Sequence, residues 1–174
     1  MVDRDGKLLR PYTTLDGRWR LPASREHVDP RFLLLLFAYE DKRFGTHRGV
    51  DPYALGRALT QLVGHGHIVS GASTITMQVA RLLEPRTERS FTAKLRQIVR
   101  ALELEHTRSK DEILRLYLSL APYGGNLEGV RAASLAYFGK EPKHLSAAEA
   151  ALLVAIPQSP ERRRPDRSPA AAQA

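Results

Sequence analysis

The sequence contains no cysteine. That absence removes disulfides, thiolate zinc sites and thiol nucleophiles, and leaves reducing and oxidising compartments equally open. Long apolar runs are missing too. Nothing reaches the roughly 18 residues that would read as a membrane span. The charged start MVDRDGKLLRP is no signal peptide, so the sequence as written has no means of crossing a membrane. Acidic residues are in deficit: 19 stand against 27 lysines and arginines, a net charge of +8. Such a balance attracts polyanions, whether nucleic acid, phosphorylated ligands or acidic lipid headgroups, without choosing among them. Aromatics make up only 7% and sit within apolar-periodic runs instead of alternating with arginines, which argues against a nucleic-acid surface. No internal repeat is present.

What remains is a chain of 174 residues, 43% hydrophobic, enough for one ordinary core. Residues 1–30 lack helical periodicity; KLLRPYTTLDGRWRLP reads as an extended hairpin about Asp16-Gly17, with Trp19 as a packing anchor. From about residue 31 the pattern is helical. Asp51-Pro52 is an N-cap followed by proline at the first helical position, opening YALGRALTQLV, with Gly64 as its stop. Ser109 with Glu112, and Ser146 with Glu149, have capping-box spacing ahead of ILRLYLSL and AALLVAI. SFTAKLRQIVRALELE and NLEGVRAASLAYFG are further apolar-periodic runs. The pattern predicts a mainly α domain over 31–160, with no central strand, followed at 161–174 by a Pro- and Ala-rich disordered tail or linker start.

Three stretches carry chemistry. In AYEDKRFGTHRGVDP, Glu40 lies where an apolar helix ends, and the helix dipole there disfavours negative charge, which suits a general base. Lys42 and Arg43 work the other way, and Phe44 and His47 read equally well as a core aromatic and a packing imidazole. In HGHIVSGASTITMQVARLL, Gly71 precedes Ser73, Thr74 and Thr76 at a helix N-terminus, where free N–H groups and hydroxyls can hold phosphate oxygens; simple capping by Ser73 is the plainer reading. His65 and His67 flank Gly66 with no third metal ligand evident, so no metal site is assigned. Arg81, Arg89, Lys94 and Arg96 could converge on a diphosphate, or form a solvated basic face.

Together these stretches resemble a known family. EDKRFGTHRGVD is similar to the signature of the peptidoglycan glycosyltransferases (glycosyltransferase family 51), the polymerising domain of class A penicillin-binding proteins. SGASTITMQVAR, SKDEILRLYLSLAPYGG and GNLEGVRAASLAYFGK resemble their second, fourth and fifth motifs, in order. Met77 stands where many members have glutamine.

The resemblance implies a lysozyme-like helical fold that polymerises lipid II. A sugar hydroxyl of the acceptor attacks the donor's anomeric carbon with inversion, forms a β-1,4 link and expels undecaprenyl diphosphate. It makes Glu40 the general base and gives Arg81, Arg89, Lys94 and Arg96 the diphosphate, with a divalent cation (Mg2+ or Mn2+) as an optional aid and no organic cofactor. Ser73, Thr74 and Gln78 become donor-site residues, and Asp41, Phe44 and His47 shape the cleft. The implied partners are lipid II, the nascent glycan strand, the membrane surface and a transpeptidase domain of the parent protein. The implied location is the outer face of the bacterial cytoplasmic membrane.

The third motif departs. Where the family usually has Arg-Lys-x-x-Glu, residues Ala93 to Gln97 read AKLRQ, so Gln97 replaces the second carboxylate of the catalytic site. A neutral amide cannot ligate a metal as glutamate would, which leaves a weakly active or noncatalytic lipid II-binding scaffold as the alternative. Ser119, where many members have asparagine, affects a structural hydrogen bond. A lytic hydrolase is disfavoured by the basic residues and the hydroxyl-rich turn.

Overall fold

The computed structural model describes residues 4, 10–65, 73–84 and 90–167, with all side chains in these ranges except those of residues 59, 62–65 and 91. Among the described residues there are seven α-helices and one two-stranded sheet: β1 (Trp19–Arg20), α1 (Pro30–Glu40), α2 (Pro52–His65), α3 (Ile75–Leu83), α4 (Phe91–Thr107), α5 (Lys110–Leu120), β2 (Leu127–Glu128), α6 (Val130–Phe138) and α7 (Ala147–Ala155). Single 3₁₀ turns lie at Arg25–His27, Pro142–His144 and Ile156–Gln158. The class is mainly α, as the periodicity predicts. Among the described residues no helix is long and apolar enough to cross a membrane. The chain divides into two compact units, Met1–Leu33 with Leu118–Ala174, and Leu34–Tyr117.

In the first unit, the turn about Asp16-Gly17 forms as expected, Gly17 N donating to Thr14 O. The strand leaving that turn pairs in parallel with β2, Trp19 opposite Leu127 and Arg20 opposite Glu128. A parallel partner requires a long crossover, so no local pattern around residue 16 could reveal it. The same pairing corrects the start of α6: Leu127 and Glu128 are strand, Gly129 has φ +84°, and the helix begins only at Val130. A side chain at position 129 would place its Cβ 2.7 Å from Ser119 O, so the chain turns from strand to helix where only glycine fits. Ser119 Oγ accepts from Ala23 N at 3.2 Å, the structural hydrogen bond assigned to it. Ser146 and Glu149 form the capping box of α7. Glu149, hydrogen-bonded by Lys140 and by the Ser146 backbone, has its carboxyl pKa held down at about 2. Phe32, Tyr123, Val130, Leu153 and Ile156 are fully buried in this unit.

The second unit is built on α2, α3 and α4. Asp51 caps α2, its Oδ1 accepting from Tyr53 N and Ala54 N, with Pro52 as the first helical residue. The helix runs one residue past Gly64 to His65. Thr74 caps α3, its hydroxyl accepting from Met77 N at 3.1 Å and donating to Gly49 O. Ser90 caps α4 through Ala93 N. Ser109 and Glu112 exchange the two bonds of a capping box ahead of α5. α3 packs on α4, and Ile75, Met77, Val79, Ala101, Ile113 and Leu114 are buried. Gly49, at φ +80°, brings the loop between α1 and α2 against α4, where a Cβ would lie 2.6 Å from Ala101 O.

Candidate active site

Glu40 is the last residue of α1 and is half-buried. Gln78, on the first turn of α3, donates from Nε2 to Glu40 Oε2 at 2.7 Å. The carboxylate is thereby held by an uncharged donor at the edge of a cavity of about 570 Å³ whose lining includes Tyr39, Lys42, Arg43, Arg57 and Ser73.

Below Glu40 the loop is braced by buried groups. The Asp41 side chain is 2% exposed and accepts from His47 Nε2 at 2.9 Å and from Ile75 N, the first residue of α3, at 3.0 Å. Asp41 thus joins the end of α1 to the start of α3, stabilising a helix N-terminus with a negative charge. Phe44 is buried, stacked on Phe37 at 5.5 Å, with Lys110 Nζ 4.5 Å from its ring centre. His47 Nδ1 is buried with no hydrogen-bond partner among the described residues. Of the three residues assigned to the cleft, Asp41 alone lines the cavity; Phe44 and His47 support it from beneath.

Arg43 makes a fork onto Asp51, with Nε and NH2 at 2.7–3.0 Å from the two oxygens, and stacks over the Tyr53 ring at 4.5 Å. Burial works to raise the pKa of Asp51; Arg43 and the Ala54 and Tyr53 amides more than offset it, so the carboxyl lies below its usual range.

The basic residues are placed unequally. Lys94 is half-buried on the face of α4 toward α3 and donates to Ser73 Oγ at 2.7 Å and to Gln97 Oε1 at 3.1 Å. Burial, and secondarily the charge of Arg81, hold its pKa below that of an ordinary lysine. Gln97 Nε2 donates in turn to the Met77 carbonyl at 2.6 Å. The start of α3 therefore carries both halves of the site: Gln78 holds Glu40, while Ser73 and the Met77 carbonyl hold Lys94 and Gln97. Arg81 is exposed on α3 and Arg96 is exposed on α4, about 200° around the helix from Lys94. Arg89, Gly71 and His67 lie outside the described residues, as does the side chain of His65. Ser73 serves as an acceptor for Lys94 while Thr74 does the capping.

Two participants have no sequence motif to announce them. Arg57 reaches the cavity from α2. Glu105, its side chain 7% exposed, accepts from Thr76 Oγ1 and from Lys110 Nζ, both at 2.6 Å. One signal was available for Glu105: Lys94, Gln97, Ala101 and Glu105 fall at i, i+3, i+7 and i+11, a single face of α4.

The donors around Lys94 do not fit a divalent ion. Hard cations take oxygen ligands and favour anionic carboxylates, whereas the side-chain oxygens here are a neutral hydroxyl and a neutral amide that both already accept from the Lys94 ammonium. Among the described residues no group of three or more His, Cys, Asp or Glu stands close enough to hold a metal.

A family model described as transglycosylase matches residues 5–174. Penicillin-binding protein 1C of Escherichia coli (strain K12) is 51% identical over 174 residues, 100% of this chain and 22% of that protein. Penicillin-binding protein 1A of Pseudomonas aeruginosa is 40% identical over 165 residues, 95% of this chain and 20% of that protein. Penicillin-binding protein 1F of Bacillus subtilis (strain 168) is 37% identical over 160 residues, covering 92% and 22%. The chain spans about a fifth of the length of these relatives.

Proposed function

The chain belongs to the transglycosylase family, and from that premise we propose that it polymerises lipid II into β-1,4-linked glycan, with Glu40 as general base and inversion at the anomeric carbon. The observation that carries this reading is the Glu40–Gln78 hydrogen bond at the rim of a cavity. The uncharged amide holds Oε2 by one hydrogen bond without adding a charge of its own, which suits a carboxylate that is to take the proton of the attacking sugar hydroxyl. Lys94, oriented through Ser73 and Gln97 at the start of the same helix, faces the charge that grows on the departing diphosphate. Proton acceptance and anion stabilisation are then registered to each other by α3.

The exposed face of α4 supports a location on a lipid surface. Leu95, Val99 and Leu102 project at i, i+4 and i+7, each 47–53% exposed, with the exposed Arg96 next to Leu95. Large apolar side chains with flanking cations suit the interface of an anionic bilayer. The parent protein would hold this domain at the outer face of the cytoplasmic membrane, joined to a transpeptidase domain.

The test is polymerisation of lipid II by the wild type and by Glu40→Gln, followed as loss of lipid II and gain of glycan strands. Wild-type polymer that Glu40→Gln reduces by about a thousandfold supports the reading. Lipid II binding without polymer from either protein would instead favour the scaffold that Gln97 suggests.

A further inference from the structure

The amide of Gln97 is engaged at both ends, by Lys94 Nζ at Oε1 and by the Met77 carbonyl at Nε2. The partners dictate the orientation, since an ammonium only donates and a carbonyl only accepts. A carboxylate could satisfy one end alone. At this position it would press an anionic oxygen against the Met77 carbonyl and bind the ammonium into an ion pair. Beside burial, the charge that acts on Lys94 is that of another cation, Arg81. The acids elsewhere on α4 and α3 are committed: Glu105 to Thr76 and Lys110, Glu84 and Glu103 to Arg100.

We propose that Gln97 is a positioning residue that aims Lys94 without compensating its charge, so that the leaving diphosphate is neutralised by side-chain cations and polymerisation needs no divalent metal ion. This rests on the glycosyltransferase reading of the cleft. The amide orients Lys94 through one N–H, Ser73 takes a second, and the ammonium has a third donor for a phosphate oxygen. A carboxylate at position 97 would reverse the requirement: with the ammonium tied up and a negative charge beside the diphosphate, a cation bridging the two anions becomes necessary.

The experiment compares wild type, Gln97→Glu, Gln97→Met and Lys94→Ala in EDTA and in Mg2+ or Mn2+, reading lipid II polymerisation as kcat and KM separately, with thermal melting to confirm folding. A second arm measures binding of inorganic diphosphate in EDTA by calorimetry. The wild type is expected to polymerise equally, within about twofold, in EDTA and in metal. Gln97→Glu should lose roughly ten- to a hundredfold of kcat in EDTA and regain it with metal; Gln97→Met, which misorients Lys94 without adding charge, should lose a similar factor that metal does not restore. A wild type that loses activity in EDTA and recovers it in Mg2+ overturns the inference while leaving the glycosyltransferase reading intact. Should the wild type make no polymer in any buffer, that reading fails, and the binding arm still decides the inference. Diphosphate bound in EDTA and lost in Lys94→Ala supports it, and binding that requires metal overturns it.

Discussion

Asp41→Ala is the sharpest test of how this site is assembled. The carboxylate is 2% exposed and serves two donors, His47 Nε2 and Ile75 N. Truncation leaves both without an acceptor in a place water does not reach. Removing one partner of a buried pair costs about 3–5 kcal/mol, and most of that is desolvation of the group left behind. For a chain of this size the melting temperature should fall by roughly 10 °C. Asp41→Asn refines the test. Its one oxygen can still accept from Ile75 N, and its NH2 would face His47, whose neutral ring can become an acceptor at Nε2 by moving its proton to Nδ1. That atom has no partner among the described residues, so the exchange exposes a new unmet donor, and the loss should be about half that of alanine. Urea denaturation followed by far-UV circular dichroism gives both numbers, provided the slope m is unchanged. An alanine variant within about 1 kcal/mol of wild type, or an asparagine variant as unstable as alanine, would refute the brace between α1 and α3.

Gln78→Ala removes the donor to Glu40 from a half-buried position and should lower kcat for lipid II by roughly ten- to a hundredfold with the melting temperature nearly unchanged. Asp51→Asn should destabilise the fold at neutral pH, with a deficit that shrinks under acid. The folded pKa of Asp51 lies below its unfolded value, so its contribution is complete above about pH 4 and lost as pH falls through the folded pKa; a constant gap between wild type and variant from pH 7 to pH 2 would contradict this. Replacing Leu95 and Val99 with serine should weaken co-sedimentation with anionic vesicles at low salt while leaving the melting temperature within 1–2 °C, about half a kcal/mol.

The fold was legible wherever the determinant was local. Asp51-Pro52, Ser109 with Glu112 and Ser146 with Glu149 mark the starts of α2, α5 and α7 because a cap acts on the backbone two or three residues away. The failures share the opposite property. Residues Leu127 and Glu128 belong to an apolar-periodic run, and only a partner more than a hundred residues away makes them strand. The same contrast holds in the site. Glu40 and the α3 start can be picked out from residue types, but what orients Lys94 is a main-chain carbonyl at Met77, relayed by Gln97, and main-chain acceptors carry no letter in a sequence.

The α4 helix shows the limit of periodicity most directly. Its apolar positions 95, 99 and 102 form a helical stripe that is exposed, while Lys94, Gln97 and Glu105 share the inward face with the buried Ala101. Leaving large aliphatic side chains half in water forfeits on the order of 1 kcal/mol each relative to burial. Bringing the stripe inward takes a turn of about 120°, which would recover that but would break the bonds to Met77 O, Ser73 and Thr76, a larger loss in a dry interface. The polar face is therefore what fixes the rotation of α4, and the apolar stripe follows to the outside. A stripe held outward by the site it backs is one that a lipid surface can cover at no cost to that site. The residues that orient Lys94 and those that would meet the bilayer are then separate faces, about 120° apart, of the same helix.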